Sequence, residues 1–385
     1  MADGSELIPV NDQDVEEAVF QAWEEGKGPH ALSREFALSM PQASLLVLTS
    51  LQKREDAVMT ELTRRQLLAT AAVTTLAPIG LSPAHGAAPL IGKQAPSYYR
   101  YKLGSYEVTV ISDGARSWPL DIVRNATKED VSTALAAAYL DKETVTFPYV
   151  PIVVNTGPKL VVIDPGLGPN LYEQSKGAVG QFHTNLAAAG IDHNAVDIVI
   201  ISHFHADHVN GLLTADSKPA FPNAEILVPA PEWPFWWDDG NMAKAPPGSL
   251  LETNFKNNRR VFGALGNRVT HYEPDKELVS GITSVATPGH TPGHVSHVIA
   301  SGSDKVFVQA DVTLLPALFV RNPGWWPTFD FDPEMAVQTR RKVYDMLVAE
   351  KMLVQGFHYP FPSLAHIDKS GTGYREIPLA WNPTI

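Results

Sequence analysis

Residues 202–211, SHFHADHVNG, bring four potential metal ligands into a stretch of six positions. The four are His203, His205, Asp207 and His208. Histidines in soluble domains usually occur singly, bonded to a carbonyl group or to water, so this crowding needs another explanation. The chain contains no cysteine, and a metal site in it must therefore be built from imidazole and carboxylate groups. Zinc accepts both kinds of ligand, and the cluster indicates a metal site.

Further candidate ligands follow later in the chain, each at the end of an apolar run. Residues 196–203, VDIVIISH, predict a buried strand that ends at the first histidine of the cluster. A strand end followed by a tight loop can aim His203 and His205 to one side and the next two ligands to the other, which would suit two metal ions. The later candidates, each followed by a Gly/Pro-rich or polar loop, are His290, Asp311 and His358.

The elements that must position these residues are short strands and a few outer helices. Residues 150–166 predict a hairpin, and a helix is expected over 172–189. The helical pattern is clearest at 332–353, where Asp332 is the expected N-cap and Pro333 the first helical residue. Further strands are expected at 106–112, 225–229, 281–290, 294–301 and 305–311. This order predicts two sheets sandwiched between helices instead of a single parallel sheet.

Composition and net charge indicate which kinds of molecule the protein can bind. The 385 residues suffice for one large domain or two modest ones, and a hydrophobic content of 44% can fill a sizeable core. The net charge of −12 supplies no basic face for a phosphate backbone, which excludes nucleic acid as the expected partner. We expect a small-molecule substrate and no membrane span.

The first ninety residues carry the pattern of an export signal. Arg64 and Arg65 precede an apolar stretch at 67–81, which is followed by small residues and prolines. This layout is typical of a twin-arginine signal and predicts a periplasmic or secreted protein, with a short buried helix as the alternative. The stretch is too short and too weakly hydrophobic to cross a bilayer. The predicted regions are an N-terminal extension at 1–58, upstream of a natural start at Met59 or else a genuine appendage, the signal at 59–88, and the main domain at 89–385.

The cluster and its companions resemble the motifs of a known family. HFHADH resembles the HxHxDH signature of the metallo-β-lactamase superfamily, and VIDPG at 162–166, TPGHTPGH at 287–294, QAD at 309–311 and His358 follow in that superfamily's order. The similarity covers about 95–385. Segments such as YVPIVVNTGPKLVVIDPG and AFPNAEI are most similar to the methyl parathion hydrolase family. The resemblance implies an α/β (α+β) chain folded as a metallo-β-lactamase-like αββα four-layer sandwich with a dinuclear metal site.

The resemblance also implies a role for each ligand. One divalent ion would be held by His203, His205 and His290, the other by Asp207, His208 and His358, with Asp311 bridging both. Zinc is the expected metal at both positions. A hydroxide held by the metals and Asp311 would attack phosphorus or a carbonyl carbon, and we expect Asp207 and Asp311 to be the catalytic carboxylates. The expected reaction is hydrolysis of an ester-like bond in an organophosphate triester, a carboxylic ester or a lactone.

The remaining histidines and one further aspartate are expected to have other roles. Asp164, in VIDPG, is expected to accept a hydrogen bond from a ligand histidine or from nearby backbone. His294 and His297 alternate on a strand and are interpreted as structural, or else as supports that orient a ligand. The histidines expected on the solvated surface are His183, His193 and His271.

Aromatic residues predict a substrate pocket for an apolar or aryl group. They are concentrated at 231–241 and 322–331, beyond what one small core layer needs. By similarity to the FW segment of the methyl parathion hydrolase family, Trp236 is predicted to line the pocket together with Phe255, although the core is the alternative place for any single tryptophan. The loop LFVRNPGWWP at 318–327 departs from that family's pattern, which weakens the organophosphate assignment.

Two other kinds of function stay open at this point. Acyl-homoserine lactone lactonases use the same ligand set, although those chains are usually shorter and lack an export signal. A non-catalytic metal-dependent binding protein and a flavodiiron-like oxidoreductase represent other classes, and the latter would add carboxylate ligands and a flavin domain that the sequence does not display. The oligomeric state is open, with a homodimer as one candidate.

Overall fold

The computed structural model describes residues 94–385 and, before them, the single positions Ala22, Leu90 and Gly92. The predicted extension at 1–58 and the predicted export signal at 59–88 lie outside the described residues, Ala22 aside. Among the residues that are described, no helix has the length and apolarity needed to cross a bilayer.

The described strands form two seven-stranded sheets and one two-stranded hairpin. In chain order they are β1 (Tyr98–Leu103), β2 (Tyr106–Ile111), β3 (Gly114–Pro119), β4 (Thr144–Tyr149), β5 (Ile152–Asn155), β6 (Leu160–Ile163), β7 (Ile198–Ile200), β8 (Glu225–Pro229), β9 (Val269–Tyr272), β10 (Glu277–Val279), β11 (Ile282–Ala286), β12 (Val295–Ser301), β13 (Asp304–Ala310), β14 (Leu353–Gly356), β15 (Leu364–Ser370) and β16 (Gly373–Pro378). The α-helices are α1 (Lys128–Ala136), α2 (Asn170–Gln174), α3 (Phe182–Ala188), α4 (Ala206–Val209), α5 (Glu232–Trp237), α6 (Asp239–Lys244), α7 (Leu250–Leu265), α8 (Pro316–Phe319) and α9 (Pro333–Glu350).

Both sheets mix antiparallel and parallel pairing. The first has the order β1-β2-β5-β6-β7-β8-β9, antiparallel up to β6 and parallel from β6 to β9. The second follows chain order from β10 to β16, and β13 with β14 is its parallel pair. The hairpin predicted at 150–166 is confirmed as β5 and β6. In a parallel arrangement the carboxyl ends of neighbouring strands lie at the same edge, where loops can meet around a ligand.

The burial of alternate side chains defines the layers. Successive residues of a strand point to opposite faces. Val153 of β5 packs in a core with residues of α3 and α7, whereas the next residue, Val154, packs in a core shared with the second sheet. On the outer face of the second sheet, Phe307 of β13 packs with Leu347 of α9. The order is helix, sheet, sheet, helix, so the predicted αββα sandwich is confirmed.

A smaller piece lies beside the sandwich. β3 and β4 pair with each other along their whole length, and α1 lies in the segment that connects them. Leu135 of α1 and Phe147 of β4 share a separate core with Leu318 of α8. The two-stranded piece is thereby packed against the segment that follows β13.

The helix predicted at 172–189 is wrong in its extent. The structure has two short helices there, α2 and α3, separated by a turn that contains Gly177 and Gly180. These glycines have φ angles of 82° and 79°, in the left-handed region that other residues disfavour. A Cβ atom on Gly180 would also come within 2.7 Å of the Gly168 carbonyl oxygen. The apolar spacing suggested one helix, but the glycines interrupt it.

Two other predicted elements are found with adjusted ends. The helix predicted at 332–353 is confirmed as α9, and the Asp332 side chain accepts a hydrogen bond from the Met335 N–H at 3.0 Å, as an N-cap does. The strand predicted at 196–203 is shorter and comprises β7 alone. The first histidine of the cluster therefore lies in the loop after the strand and not on the strand itself.

Candidate metal centre and substrate cavity

The seven predicted ligands meet where strands of both sheets end. The loop after β7 and the short helix α4 carry the HFHADH cluster, and the loop after β11 carries His290. Asp311 directly follows β13, and His358 follows β14. The side chains form two groups, in each of which the ligand atoms lie within 4.8 Å of one another. The first group is His203, His205, His290 and Asp311, and the second group is Asp207, His208, Asp311 and His358.

The first group is compact and buried. His205 Nδ1 lies 3.0 Å from His203 Nε2 and 3.0 Å from His290 Nε2. His290 Nε2 is in turn 3.2 Å from Asp311 Oδ2. Tetrahedral zinc with Zn–N bonds of about 2.0–2.1 Å holds its ligand atoms roughly 3.3 Å apart, close to these spacings. The donor set therefore fits a divalent cation.

The second group shares Asp311 with the first. Its Oδ1 lies 3.3 Å from His208 Nε2, and its Oδ2 lies 3.2 Å from His358 Nε2. Asp207 Oδ2 is 3.3 Å from the same His358 nitrogen. His208 Nε2 and Asp311 Oδ1 are buried and hydrogen-bond to none of the described residues. Buried polar atoms are rarely left without a partner, and a cation between them would satisfy both.

The outer nitrogens of four ligand histidines are hydrogen-bonded, which fixes their ring orientation, and that of His203 lies 3.0 Å from the Ser202 hydroxyl. His208 Nδ1 lies 2.9 Å from Asp164 Oδ2, and His290 Nδ1 lies 2.8 Å from Asp330 Oδ1. His358 Nδ1 lies 2.8 Å from the Pro148 carbonyl oxygen. Each contact leaves Nε2 of the ring facing the centre.

Asp164 occupies the place expected from the sequence. Besides its contact with His208, it accepts hydrogen bonds from the Ser202 N–H at 2.8 Å and from the Ser202 hydroxyl at 2.6 Å. It therefore links the loop after β6 to the start of the cluster loop, and it does so without belonging to either metal group.

Burial and neighbouring charges shift the pKa values of the histidines in opposite directions. Burial lowers the pKa of His205 to about 3 and holds that of His203 well below its usual value. Burial also opposes a charge on His208, but the carboxylates of Asp311 and Asp207 outweigh it and hold the pKa of His208 well above its usual value. His203 and His205 thus present neutral imidazoles, the form that binds metals. Burial also opposes a charge on His290 of the same group, but Asp311 and Asp330 outweigh it and raise the pKa of His290 to about 9. The carboxylates of both groups therefore attract positive charge.

A cavity opens directly above the two groups. Its base includes ligand residues of both groups, and much of its wall is apolar or aromatic. The base residues are His205, Asp207, Asp311 and His358. The apolar and aromatic wall residues are Trp118, Phe147, Tyr149, Leu167, Leu250, Leu314 and Phe329, with Arg116 and Asn254 as polar neighbours.

A family model described as the metallo-β-lactamase superfamily matches residues 147–349, about half of the chain. The chain belongs to the metallo-β-lactamase superfamily. It is accordingly a metal-dependent hydrolase of ester bonds with two divalent metal ions, and the donor sets above fit that assignment.

Individual members of the superfamily are similar over most of their own length. An N-acyl homoserine lactonase from Bacillus sp. is 26% identical over 212 residues, which is 53% of this chain and 74% of the relative. The solved structure of AidC, a dizinc quorum-quenching lactonase, is 25% identical with a TM-score of 0.69 and covers 74% of this chain and 98% of its own. Hydrolase AbOPH is 26% identical with a TM-score of 0.69 and covers 75% of this chain and all of its own.

The predicted pocket residues Trp236 and Phe255 are corrected by the structure. Both are fully buried and belong to the core between the first sheet and its helices. Their ring centroids are 4.9 Å apart, and Trp236 Nε1 donates a hydrogen bond to Glu232 Oε2 at 2.8 Å. They lie in the core because α5 and α7 pack against each other on the faces that carry Trp236 and Phe255. Neither residue lines the cavity above the two ligand groups.

The histidines outside the ligand set divide into supports and surface residues. His294 Nε2 accepts a hydrogen bond from the backbone N–H of Asp311 at 3.1 Å, so this ring holds in place the residue that the two groups share. His297 is buried, and its Nε2 lies 3.4 Å from the Tyr272 hydroxyl. The solvated position predicted for His183 is wrong, because its Nε2 lies 2.9 Å from the Gly211 carbonyl oxygen and burial lowers its pKa to about 4. The exposed histidines of that set are His193 and His271.

Sequence reasoning missed several residues around the centre. Asp330 accepts a hydrogen bond from His290 Nδ1 with one oxygen and one from Arg340 at 3.3 Å with the other. It was missed because the nearby Asp332 has the more obvious role of an N-cap. The wall residues Trp118 and Phe147 come from β3 and β4, and no concentration of aromatic residues in these two strands pointed to a pocket. Glu232, at the start of α5, is fully buried although glutamate seldom is.

Proposed function

We propose that the protein is a lactonase that opens the ring ester of N-acyl homoserine lactones or of closely similar lactones. Relatives that bear this name support the proposal, as do the residues that line the cavity above the metal groups. Such a substrate combines a polar ring, which contains the reacting ester, with an apolar acyl arm.

The observation that carries the proposal is the division of the cavity into a polar base and apolar walls. The base contains Asp207, Asp311 and His358, and the walls contain Trp118, Phe147 and Leu314, among others. Burial of apolar surface contributes about 25 cal/mol per Å². An acyl arm against the walls therefore binds favourably while the ester group reaches the base.

The residues of the chain that take part in catalysis are the carboxylates Asp311 and Asp207 and the cavity residue Tyr149. When bound, two divalent ions lower the pKa of a shared water and polarise the ester oxygen. Asp311 belongs to both ligand groups, because its Oδ2 lies 3.2 Å from His290 Nε2 of the first and 3.2 Å from His358 Nε2 of the second, and its Oδ1 lies 3.3 Å from His208 Nε2. Asp207 has 19% of its side chain accessible and can exchange a proton with the attacking or leaving oxygen. Burial raises the pKa of Tyr149, so its hydroxyl stays protonated and can donate to a substrate oxygen in the cavity.

An aryl phosphotriester, the substrate class suggested by the similarity to the methyl parathion hydrolase family, is the second candidate. It is favoured by the aromatic part of the cavity wall. Trp118 and Phe329 meet edge to face with centroids 5.2 Å apart, and a planar leaving group fits against such rings. The base of the cavity would serve either ester.

Turnover of a small substrate panel separates the candidates. The full chain, loaded with Zn²⁺, is assayed with N-hexanoyl homoserine lactone, a nitrophenyl phosphotriester and nitrophenyl acetate. We expect kcat/KM to be highest for the lactone, by at least about tenfold, because it alone offers both a ring ester and an acyl arm. A larger value for the phosphotriester would favour the second candidate. Protein that binds two zinc ions and hydrolyses none of the three would refute both.

Location and assembly complete the proposal. We place the mature protein in the periplasm or outside the cell, on the basis of the twin-arginine pattern at residues 64 and 65. A homodimer stays a prediction that light scattering of the purified protein checks.

A further inference from the structure

Glu232 is a buried carboxylate that contacts the two loops carrying the three histidines of the first group. Its Oε2 accepts a hydrogen bond from the backbone N–H of Phe204 at 3.1 Å, and its Oε1 accepts one from the N–H of Gly293 at 2.6 Å. Phe204 lies between His203 and His205 in the chain, whereas Gly293 lies in the loop that carries His290. One side chain thus joins two segments that are distant in the sequence.

We propose that Glu232 is a positioning residue that fixes these two loops against each other and thereby sets the metal affinity of the first group. The proposal rests on the dinuclear metal centre of the proposed function. Glu232 belongs to neither metal group and does not line the cavity, so it acts through the ligands and not on the substrate.

The loop that carries His290 is held tightly against the start of α5. A Cβ atom on Gly293 would come within 2.5 Å of the Glu232 backbone nitrogen and 2.7 Å of the Pro231 carbonyl carbon. This contact leaves no room for a side chain, so the Gly293 N–H stays within reach of the Glu232 carboxylate. A second link joins the same two loops, because the Val295 N–H donates to the Ser202 carbonyl oxygen at 3.1 Å.

The bonding of the carboxylate makes it sensitive to replacement. Glu232 forms no ion pair within the described part of the chain, and three N–H groups donate to its oxygens, the third being that of Trp236 Nε1 at 2.8 Å. Bonds of this kind to an ionised acceptor are stronger than neutral ones. A glutamine at this position has one acceptor oxygen and one NH₂ group. In either orientation its NH₂ group faces the N–H of Phe204 or of Gly293, so one of the two loops loses its bond.

The test measures Zn²⁺ affinity of the full chain by competition with a chromophoric chelator, for wild type, Glu232→Gln, Glu232→Asp and Trp236→Phe. We expect Glu232→Gln to weaken binding of one zinc ion about 10–100-fold, as loss of an outer support of metal ligands does, and to affect the other ion less. Trp236→Phe is the matched control, because it removes the third bond to the same carboxylate and leaves both loop bonds. It should lower stability while both affinities stay within about twofold. Glu232→Asp keeps the charge but is shorter, and should weaken the same zinc ion.

Three results would overturn the inference. Unchanged affinity for both ions in the Gln and Asp variants would show that Glu232 does not position the ligands. An equal loss of affinity in Trp236→Phe would show that affinity merely follows stability. Wild-type protein that binds fewer than two zinc ions would refute the dinuclear centre, and with it the proposed function on which the inference rests. If the Gln variant does not fold, the Asp variant decides the question by the same measurement.

Discussion

Trp236 and Phe329 should respond to mutation in opposite ways, because one belongs to the core and the other to the cavity wall. Trp236 is fully buried and donates its indole N–H to Glu232. Phe329 is half-buried and lines the cavity beside Trp118. Replacing each in turn separates an effect on folding from an effect on substrate binding.

Trp236→Phe should lower stability without changing substrate preference. The variant loses a hydrogen bond to a charged acceptor, which contributes about 1.5–3 kcal/mol, and leaves a small packing defect beside Phe255. At about 2.1 cal/mol/K of unfolding entropy per residue, a domain of about 290 residues loses roughly 1.6 °C of melting temperature for each kcal/mol. We therefore expect a fall of about 3–5 °C in thermal unfolding, with kcat/KM nearly unchanged at saturating Zn²⁺.

Phe329→Ala should instead weaken binding of substrates with a long apolar arm. Loss of roughly 50 Å² of apolar contact with the substrate, at about 25 cal/mol per Å², amounts to about 1 kcal/mol, or a five- to tenfold fall in kcat/KM. Substrates with a short acyl arm should lose less. The assay compares melting temperature and kcat/KM for N-acyl homoserine lactones of several chain lengths. If Trp236→Phe changed chain-length preference while Phe329→Ala changed only stability, the assignment of core and wall would be refuted.

Three further predictions test the metal centre, the partly buried His183 and the export signal. Asp311→Asn should reduce hydrolysis more than about a hundredfold and lower zinc content while the far-UV spectrum stays native-like, because the ligand lies in a loop; near-normal turnover after metal removal would contradict this. Since the pKa of His183 is lowered to about 4, the folded state keeps the ring neutral, and this contributes stability that is present above about pH 6.5 and lost as pH falls towards 4. The unfolding free energy of His183→Gln should therefore fall less steeply than that of wild type between pH 6.5 and 4, by up to about 3 kcal/mol over the window, and parallel urea-unfolding curves would exclude the effect. Changing Arg64 and Arg65 together to Lys should retain the protein in the cytoplasm if translation starts at Met59, as cell fractionation can check, and mature protein that begins before residue 60 would show that the region is misinterpreted.

The ligand set could be predicted from sequence because its signal is local. Each ligand lies in a loop or short helix that follows an apolar strand, and histidine or aspartate at such a place has few structural reasons to occur. His203 to His208 form a contiguous motif, and the later ligands follow in a recognisable order. The hairpin at 150–166 and the capped helix α9 were predictable for the same reason, since turn and cap residues act on their immediate neighbours.

The surroundings of the centre depend on contacts that no local pattern encodes. Asp330 and Glu232 contact the ligand loops across 40 and 28 positions of the chain. Trp236 and Phe329 both lie in aromatic-rich segments. The packing of α5 on α7 places Trp236 in the core, whereas Phe329 lines the cavity. The prediction that Trp236 lines the pocket failed because a high number of aromatic residues in a segment does not show which face of a short helix packs against the core.

The hairpin β3–β4 and the sandwich divide the reaction site between two parts of the chain. All seven ligands are carried by the loops of the sandwich and the short helix α4, while Trp118, Phe147 and Tyr149 of the wall come from the hairpin. Trp118 of the hairpin packs edge to face on Phe329, so a change at Trp118 alters which molecules are admitted while the ligand groups keep their contacts. Pro148 and Tyr149 of the same hairpin lie against His358, so a change at either position alters admission and cleavage together.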